Sequence, residues 1–232
     1  MSTYVFPPAP QAAVAVRGSE ARYAVSRIFC VGRNYAAHAR EMGSDPDREP
    51  PFYFTKPASA LAPSGGTIPY APGTSNLHYE MELVVAIGKP VFKATSDQAA
   101  DAVWGYAAGL DMTRRDLQNA AKAIGRPWDL GKGFEHSAVI TELVPRAELG
   151  ELSKGAITLS VNGVEKQRGD LSDMIWSIPE LVANLSQYYH LGPGDLIYTG
   201  TPEGVGPVKP GDQLVGVIEG FGELTITIGG AE

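Results

Sequence analysis

Cys30 is the one cysteine in 232 residues, so no intramolecular disulfide can form and a reducing compartment is expected. It stands in Arg27-Ile28-Phe29-Cys30-Val31, an apolar, strand-like run where a lone thiol is expected to be a small buried core residue. Basic runs are missing and the formal net charge is −7, which argues against nucleic acid as a partner. An acidic protein that handled an anion would need local positive charge or a metal to offset its own field. The chain has no signal-peptide core, transit peptide or apolar stretch long enough to span a bilayer, and the expected compartment is the cytoplasm, away from membrane. Internal repeats, linkers and low-complexity segments are absent too.

What is present is ordinary for a globular chain: 44% hydrophobic and 19% charged residues, enough to bury a proper core. The 27 glycines and 18 prolines are spread out rather than clustered, which suits a β-rich fold with many tight turns. The reading is a short N-terminal arm over 1–26 and one mixed, mainly β domain over 27–232. In the arm, Val14-Ala15-Val16 faces Tyr23-Ala24-Val25 across a hairpin at Arg17-Gly18-Ser19. Asn162-Gly163 between two apolar runs is the strongest short hairpin signal. Ser177 and Glu180 make a capping box for a helix whose Leu181, Val182, Leu185 and Tyr188 form one apolar face. Ser96 is expected to cap a helix to Trp104, and Thr113 to open one to Ile124, with Asp116 where a capping box usually has Glu or Gln. The stretch 126–145 reads as loop feeding a short strand.

The chemistry concentrates in Leu77-His78-Tyr79-Glu80-Met81-Glu82-Leu83-Val84-Val85-Ala86-Ile87. Alternation along a strand sends Glu80 and Glu82 the same way. Two like charges at the mouth of an apolar strand repel and lose hydration, so a cation between them or a retained proton is required. Asp111 ends a second apolar run, and if the two strands are neighbours three carboxylates converge. Carboxylate-only ligation with no His/Cys pair nearby points to Mg²⁺ or Mn²⁺ rather than zinc. His78 is a weaker candidate ligand. His38 and Glu41, at i and i+3 on a short polar helix, can pair as a base and its orienting acid, and the polar stretch 44–51 after them has the makeup of a lid. Arg115 and Gln118 share a helix face just after Asp111, where arginine suits a substrate carboxylate. Lys132, between two glycines, and Thr201 could each hold an anionic oxygen. The loop 200–207 lacks the GK[ST] ending of a phosphate cradle.

These residues fall in segments that resemble the fumarylacetoacetate hydrolase superfamily and its small acylpyruvate hydrolase branch: Gly32-Arg33-Asn34-Tyr35-Ala36-Ala37-His38, Phe54-Thr55-Lys56-Pro57, His78-Tyr79-Glu80-Met81-Glu82, Gly109-Leu110-Asp111-Met112-Thr113, Ser172-Asp173-Met174-Ile175 and Tyr198-Thr199-Gly200-Thr201-Pro202 through Pro207. The resemblance implies a mixed β-rich α+β fold, its sheets rolled into a barrel-like core, and a homodimer. It implies Mg²⁺ or Mn²⁺ held at Glu80, Glu82 and Asp111, a catalytic His38–Glu41 dyad with Lys132, and keto-acid contacts at Arg33, Arg115, Gln118, Lys132 and Thr201. The implied activity is hydrolysis of the C–C bond of an acylpyruvate, a small anionic keto acid. The run from Arg40 to Pro46 and on to Phe52 is similar to members that split fumarylpyruvate in gentisate breakdown. Two other readings stay open: an oxaloacetate decarboxylase or related keto-acid lyase or isomerase on the same scaffold, and a non-catalytic β module with a structural cation.

Overall fold

The computed structural model describes residues 3–36 and 49–231; His38, Glu41 and residues 44–48 of the expected lid lie outside them. The central sheet has eight strands in the order Phe52–Lys56, Arg27–Gly32, Asp195–Tyr198, Met81–Ile87, Val103–Asp111, Ala138–Ile140 and Leu61–Pro63, with Val144–Pro145 paired beside Val103–Asp111. Laid flat, seven strands at about 4.8 Å spacing would hold the two edge strands roughly 29 Å apart. Only residues 57–60 separate those edges in the chain, a reach of less than about 20 Å. The sheet therefore has to curl, and it does so into a half-barrel, in keeping with the barrel-like core that the family resemblance implied.

Curling gives the sheet two unlike faces. Phe29, Val31, Leu83, Val85 and Ile87 join the larger core, which extends to a second sheet of five strands ordered Val164–Asp170, Ala156–Val161, Gln213–Ile218, Leu224–Ala231 and Gly66–Tyr70. The alternate residues Ile28, Cys30, Val84, Ala86, Ala107 and Tyr198 form a smaller cluster on the other face. Space there is short: a Cβ on Gly109 would lie 2.6 Å from Val84 Cγ2 and 2.7 Å from Tyr198 Cε1, so only glycine fits. Strand alternation puts Asp111 on the same face as Ala107 and Gly109, and Glu82 with Val84 and Ala86. Cys30 is fully buried there, as a lone thiol in an apolar strand should be.

The local signals worked where the chemistry was local. Asn162 and Gly163 take φ of 51° and 77° in the hairpin between Ala156–Val161 and Val164–Asp170, and Ala13–Val16 pairs with Ser19–Ala24. Ser177 and Glu180 form the expected box on helix Ile178–Leu185. Tyr188, however, falls beyond that helix and is 70% exposed. Thr95, not Ser96, is the N-cap of helix Ser96–Ala102, boxed with Gln98, and Val103 and Trp104 already belong to the next strand. Helix Arg115–Ala123 has no side-chain cap; Asp116 instead accepts from Thr74 Oγ1 at 2.6 Å and the Ser75 N–H at 3.0 Å. The stretch read as loop contains a one-turn helix, Asp129–Lys132. Among the described residues no helix is long and apolar enough to cross a membrane.

Candidate active site

A small three-stranded sheet assembles the site. Its middle strand, Leu77–Tyr79, pairs with Thr113–Arg114 on one side and Gly206–Pro207 on the other. That brings the chain just before Glu80, the start of the Arg115 helix and the glycine-rich loop to one place. The Asp111 N–H donates to the Glu80 carbonyl at 2.9 Å, closing the angle between the two acid-bearing strands. Glu80, Glu82 and Asp111 are all buried, and one oxygen from each lies within 4.8 Å of the others. Glu82 accepts the Gly200 N–H at 2.8 Å. Gly200 has φ of +99°, and a Cβ there would meet Asn34 Cβ at 2.8 Å, so the conformation that presents this N–H to Glu82 requires glycine. Burial, and then the charges of Asp111 and Glu80, push the Glu82 carboxyl well above the usual carboxylate range.

Among the described residues, three cations offset these acids. Lys132 Nζ lies 2.8 Å from Glu80 Oε2, 2.7 Å from Asp111 Oδ2 and 2.7 Å from Thr113 Oγ1. Burial by itself would lower the Lys132 pKa, but Asp111 and Glu80 together outweigh it and hold it above the ordinary lysine value. The two carboxylates favour its ammonium form. Lys56 Nζ is 2.8 Å from Asp111 Oδ1 and fully buried, and it donates to the Met112 carbonyl at 3.1 Å and to that of Lys132. Arg115 Nη2 donates to Glu80 Oε1 and Nη1 to Gln118 Oε1 at 2.6 Å, which leaves the Gln118 amide N–H groups to be offered elsewhere. Thr201 Oγ1 accepts from Gln167 Nε2 at 2.9 Å, so its own proton points away from Gln167. Gln167 is itself held by the Met81 N–H and the Pro202 carbonyl.

Arg33 is half-buried with φ of +60°, a conformation that costs a non-glycine residue about 1 kcal/mol or more. The next residue maintains it: buried Asn34 donates to the Thr199 and Trp176 carbonyls and accepts the Trp176 N–H. Arg33, Phe54, Glu80, Glu82, Arg115 and Thr201 all line one cavity, with Gln118 and Lys132 also on its wall. His78 lies between Asn76 Oδ1, 2.9 Å from its Nε2, and Arg115 Nε, 3.5 Å from its Nδ1, and is not among the converging ligand atoms. Of the residues read from the sequence, the structure thus gathers Arg33, Glu80, Glu82, Asp111, Arg115, Gln118, Lys132 and Thr201; His38 and Glu41 lie outside the described residues. Lys56, Thr113 and Gln167 were missed. A lysine inside the apolar strand Phe52–Lys56 was the available signal for the first; nothing local marks the other two.

The donor set fits a hard divalent ion: three buried carboxylates and no described His or Cys among the clustered atoms suit Mg²⁺ or Mn²⁺. Comparison with known proteins agrees. Residues 27–229 match the family described as fumarylacetoacetate (FAA) hydrolase C-terminal. The chain belongs to this family. A fumarylpyruvate hydrolase from a Ralstonia species is 54% identical over 193 residues, 82% of this chain and all of its own. The human mitochondrial oxaloacetate tautomerase is 44% identical over 87% of this chain and 90% of its own. Among FAA hydrolase structures, fumarylpyruvate hydrolase from Pseudomonas aeruginosa, crystallised with Mn²⁺ and pyruvate, superposes with a TM-score of 0.96 at 49% identity, covering 99% of this chain and all of that one.

Proposed function

We propose that the chain is a divalent-metal-dependent acylpyruvate hydrolase, with fumarylpyruvate as its substrate and fumarate and pyruvate as products. One observation carries this: three buried carboxylates converge, and two of them, Glu80 and Glu82, line a cavity whose other donors, Arg115, Gln118 and Thr201, suit a keto acid. The relatives named for fumarylpyruvate favour that acyl group. Glu80, Glu82 and Asp111 would hold Mg²⁺ or Mn²⁺, which would supply Lewis-acid stabilisation of the negative charge that develops in the reaction.

The chain's own groups do the rest. Arg115, Gln118 and Thr201 fix the carboxylate and keto oxygens, and protonated Lys132 adds a fixed positive charge beside them. His38, oriented by Glu41, takes a proton from a water that adds to the acyl carbonyl carbon. The bond between that carbon and the pyruvyl methylene breaks, its electron pair leaving as the pyruvate enolate. Protonation at carbon then releases pyruvate, and the acyl half leaves as fumarate. His38→Ala should keep the protein folded and lower kcat by about 10²- to 10⁴-fold, the usual worth of an acid–base group; unchanged turnover would remove His38 from the reaction.

The assay follows loss of diketone absorbance with the divalent ion stripped by chelation and then restored. Activity that disappears and returns with Mg²⁺ supports the reading, while chelation that lowers only the melting temperature would make the ion structural. The tautomerase relative favours a second reading, keto–enol exchange of oxaloacetate without attacking water. Oxaloacetate turnover together with an inert acylpyruvate panel would select it. The setting that fits the hydrolase is gentisate catabolism in the cytoplasm. A homodimer is part of the proposal, with the exposed Tyr4, Val5 and Phe6 as apolar surface available for it; sedimentation velocity tests it.

A further inference from the structure

The site cavity does not end at the keto-acid donors. It continues past Phe54 and Trp128 into an outer chamber, with Arg33 and Lys122 lining both compartments and Arg126 lining only the outer one. The chamber has an aromatic wall, Phe52 and Phe54 lying 4.9 and 5.8 Å from the Trp128 ring. Its charged lining runs against the sign of the whole molecule. Arg33, Lys122 and Arg126 outnumber the acids there, Glu49 and Asp129, in a chain of net charge −7. Neither Arg33 nor Arg126 has an ion-pair partner among the described residues.

Geometry gives the chamber a ruler. Arg115, Gln118 and Lys122 lie at i, i+3 and i+7 of helix Arg115–Ala123, hence on one face. Seven residues put Lys122 about 10 Å along the axis from Arg115. In an acylpyruvate whose acyl group is a four-carbon diacid, six bonds of about 1.5 Å in a zigzag separate the carboxyl carbons by about 7.5 Å, and their outermost oxygens by about 9.5 Å. A keto-acid end held at Arg115 would therefore set the far carboxylate at Lys122 and Arg126, its flat unsaturated middle against Phe54 and Trp128.

We infer that the outer chamber is an acyl subsite for a terminal carboxylate, in which Lys122 and Arg126 select diacid acylpyruvates over those with an uncharged acyl group. This deepens the hydrolase reading and rests on it. The test compares kcat/KM for fumarylpyruvate and for acetylpyruvate, whose acyl end carries no charge, using the Mg²⁺-loaded full chain and its Lys122→Met, Arg126→Met and double variants. Each single change should lower the fumarylpyruvate value by about fivefold to tenfold, mostly through KM, as expected for partly exposed charge pairs. Acetylpyruvate should change by less than about threefold, since the lost charges face nothing in that substrate. Equal losses on both substrates, or a double variant that keeps the unmodified preference, would overturn the subsite. An unmodified protein that splits acetylpyruvate as well as fumarylpyruvate would overturn it while leaving the hydrolase reading intact. Failure to split either compound would sink that reading, and the subsite with it.

Discussion

The strand Asp195–Tyr198 has a buried carboxylate at one end and leads into the acid cluster at the other, and the two ends are built in opposite ways. Asp195 is 2% exposed and saturated: Arg27 grips it with Nε at 2.7 Å and Nη2 at 2.6 Å, and the Gly192 N–H adds a third donor at 2.9 Å. The pairing raises the Arg27 pKa, the hydrogen bond to Asp195 being the largest cause. Glu82, which meets the chain just beyond Tyr198, receives one N–H from Gly200 and faces two more carboxylates. Its elevated pKa records the shortfall. A buried anion that is fully bonded serves the fold; one left short of positive charge is held by the fold for something that binds.

That contrast breaks most sharply on neutral replacements. Glu82→Gln should cut kcat/KM by about 10³-fold or more, since charge stabilisation by the ion supplies much of the rate enhancement in such a site. The metal-free melting temperature should hold or rise, because a repulsive charge has gone. A fall in that temperature would show that Glu82 is structural after all. Asp195→Asn should do the reverse, costing about 2 kcal/mol for a charged hydrogen-bonded pair. In a chain of this size that is a drop of roughly 4–8 °C, with kcat nearly unchanged; lost turnover at full stability would erase the distinction.

The smallest effect sharpens the structural end. The Tyr23 hydroxyl contacts the Ile87 and Asp195 carbonyls and accepts the Gly194 N–H. Burial chiefly pushes its pKa from 10.0 up to about 12. As pH rises through that window the unfolded tyrosine releases its proton while the native one keeps it. The native state then binds more protons, so stability falls. Tyr23→Phe should remove that part of the alkaline loss, read as a shallower drop in urea midpoint from pH 10 to 12. Equal slopes in both proteins would place the loss elsewhere.

How far the sequence could be read followed the range of each interaction. The Asn162-Gly163 turn and the Ser177–Glu180 box need residues a few positions apart, and both were legible. The cap at Thr95 was missed by one residue because Ser96 offers the same hydroxyl. Arg115 and Gln118 were legible as a helical pair, but Arg115 also bonds Glu80, across 35 positions, which no periodicity reports. Lys132 was read as a loop residue between glycines; its burial against two acids depends on a one-turn helix too short to carry a pattern. Gln167 sits in the five-stranded sheet and reaches Thr201, so its role needed both sheets in place.

By itself the chain determined its β-rich character, its turns and the side from which Glu80, Glu82 and Asp111 approach, since strand alternation and turn chemistry act within a few residues. The tertiary structure alone decided that Asp195–Tyr198 lies parallel to Arg27–Gly32 and that the sheet closes far enough for Lys56 to meet Asp111. It also decided that a basic chamber continues from the acid-lined cavity. Those outcomes depend on strand order and curvature, which are set by the packing of both sheet faces at once and have no counterpart in any local stretch.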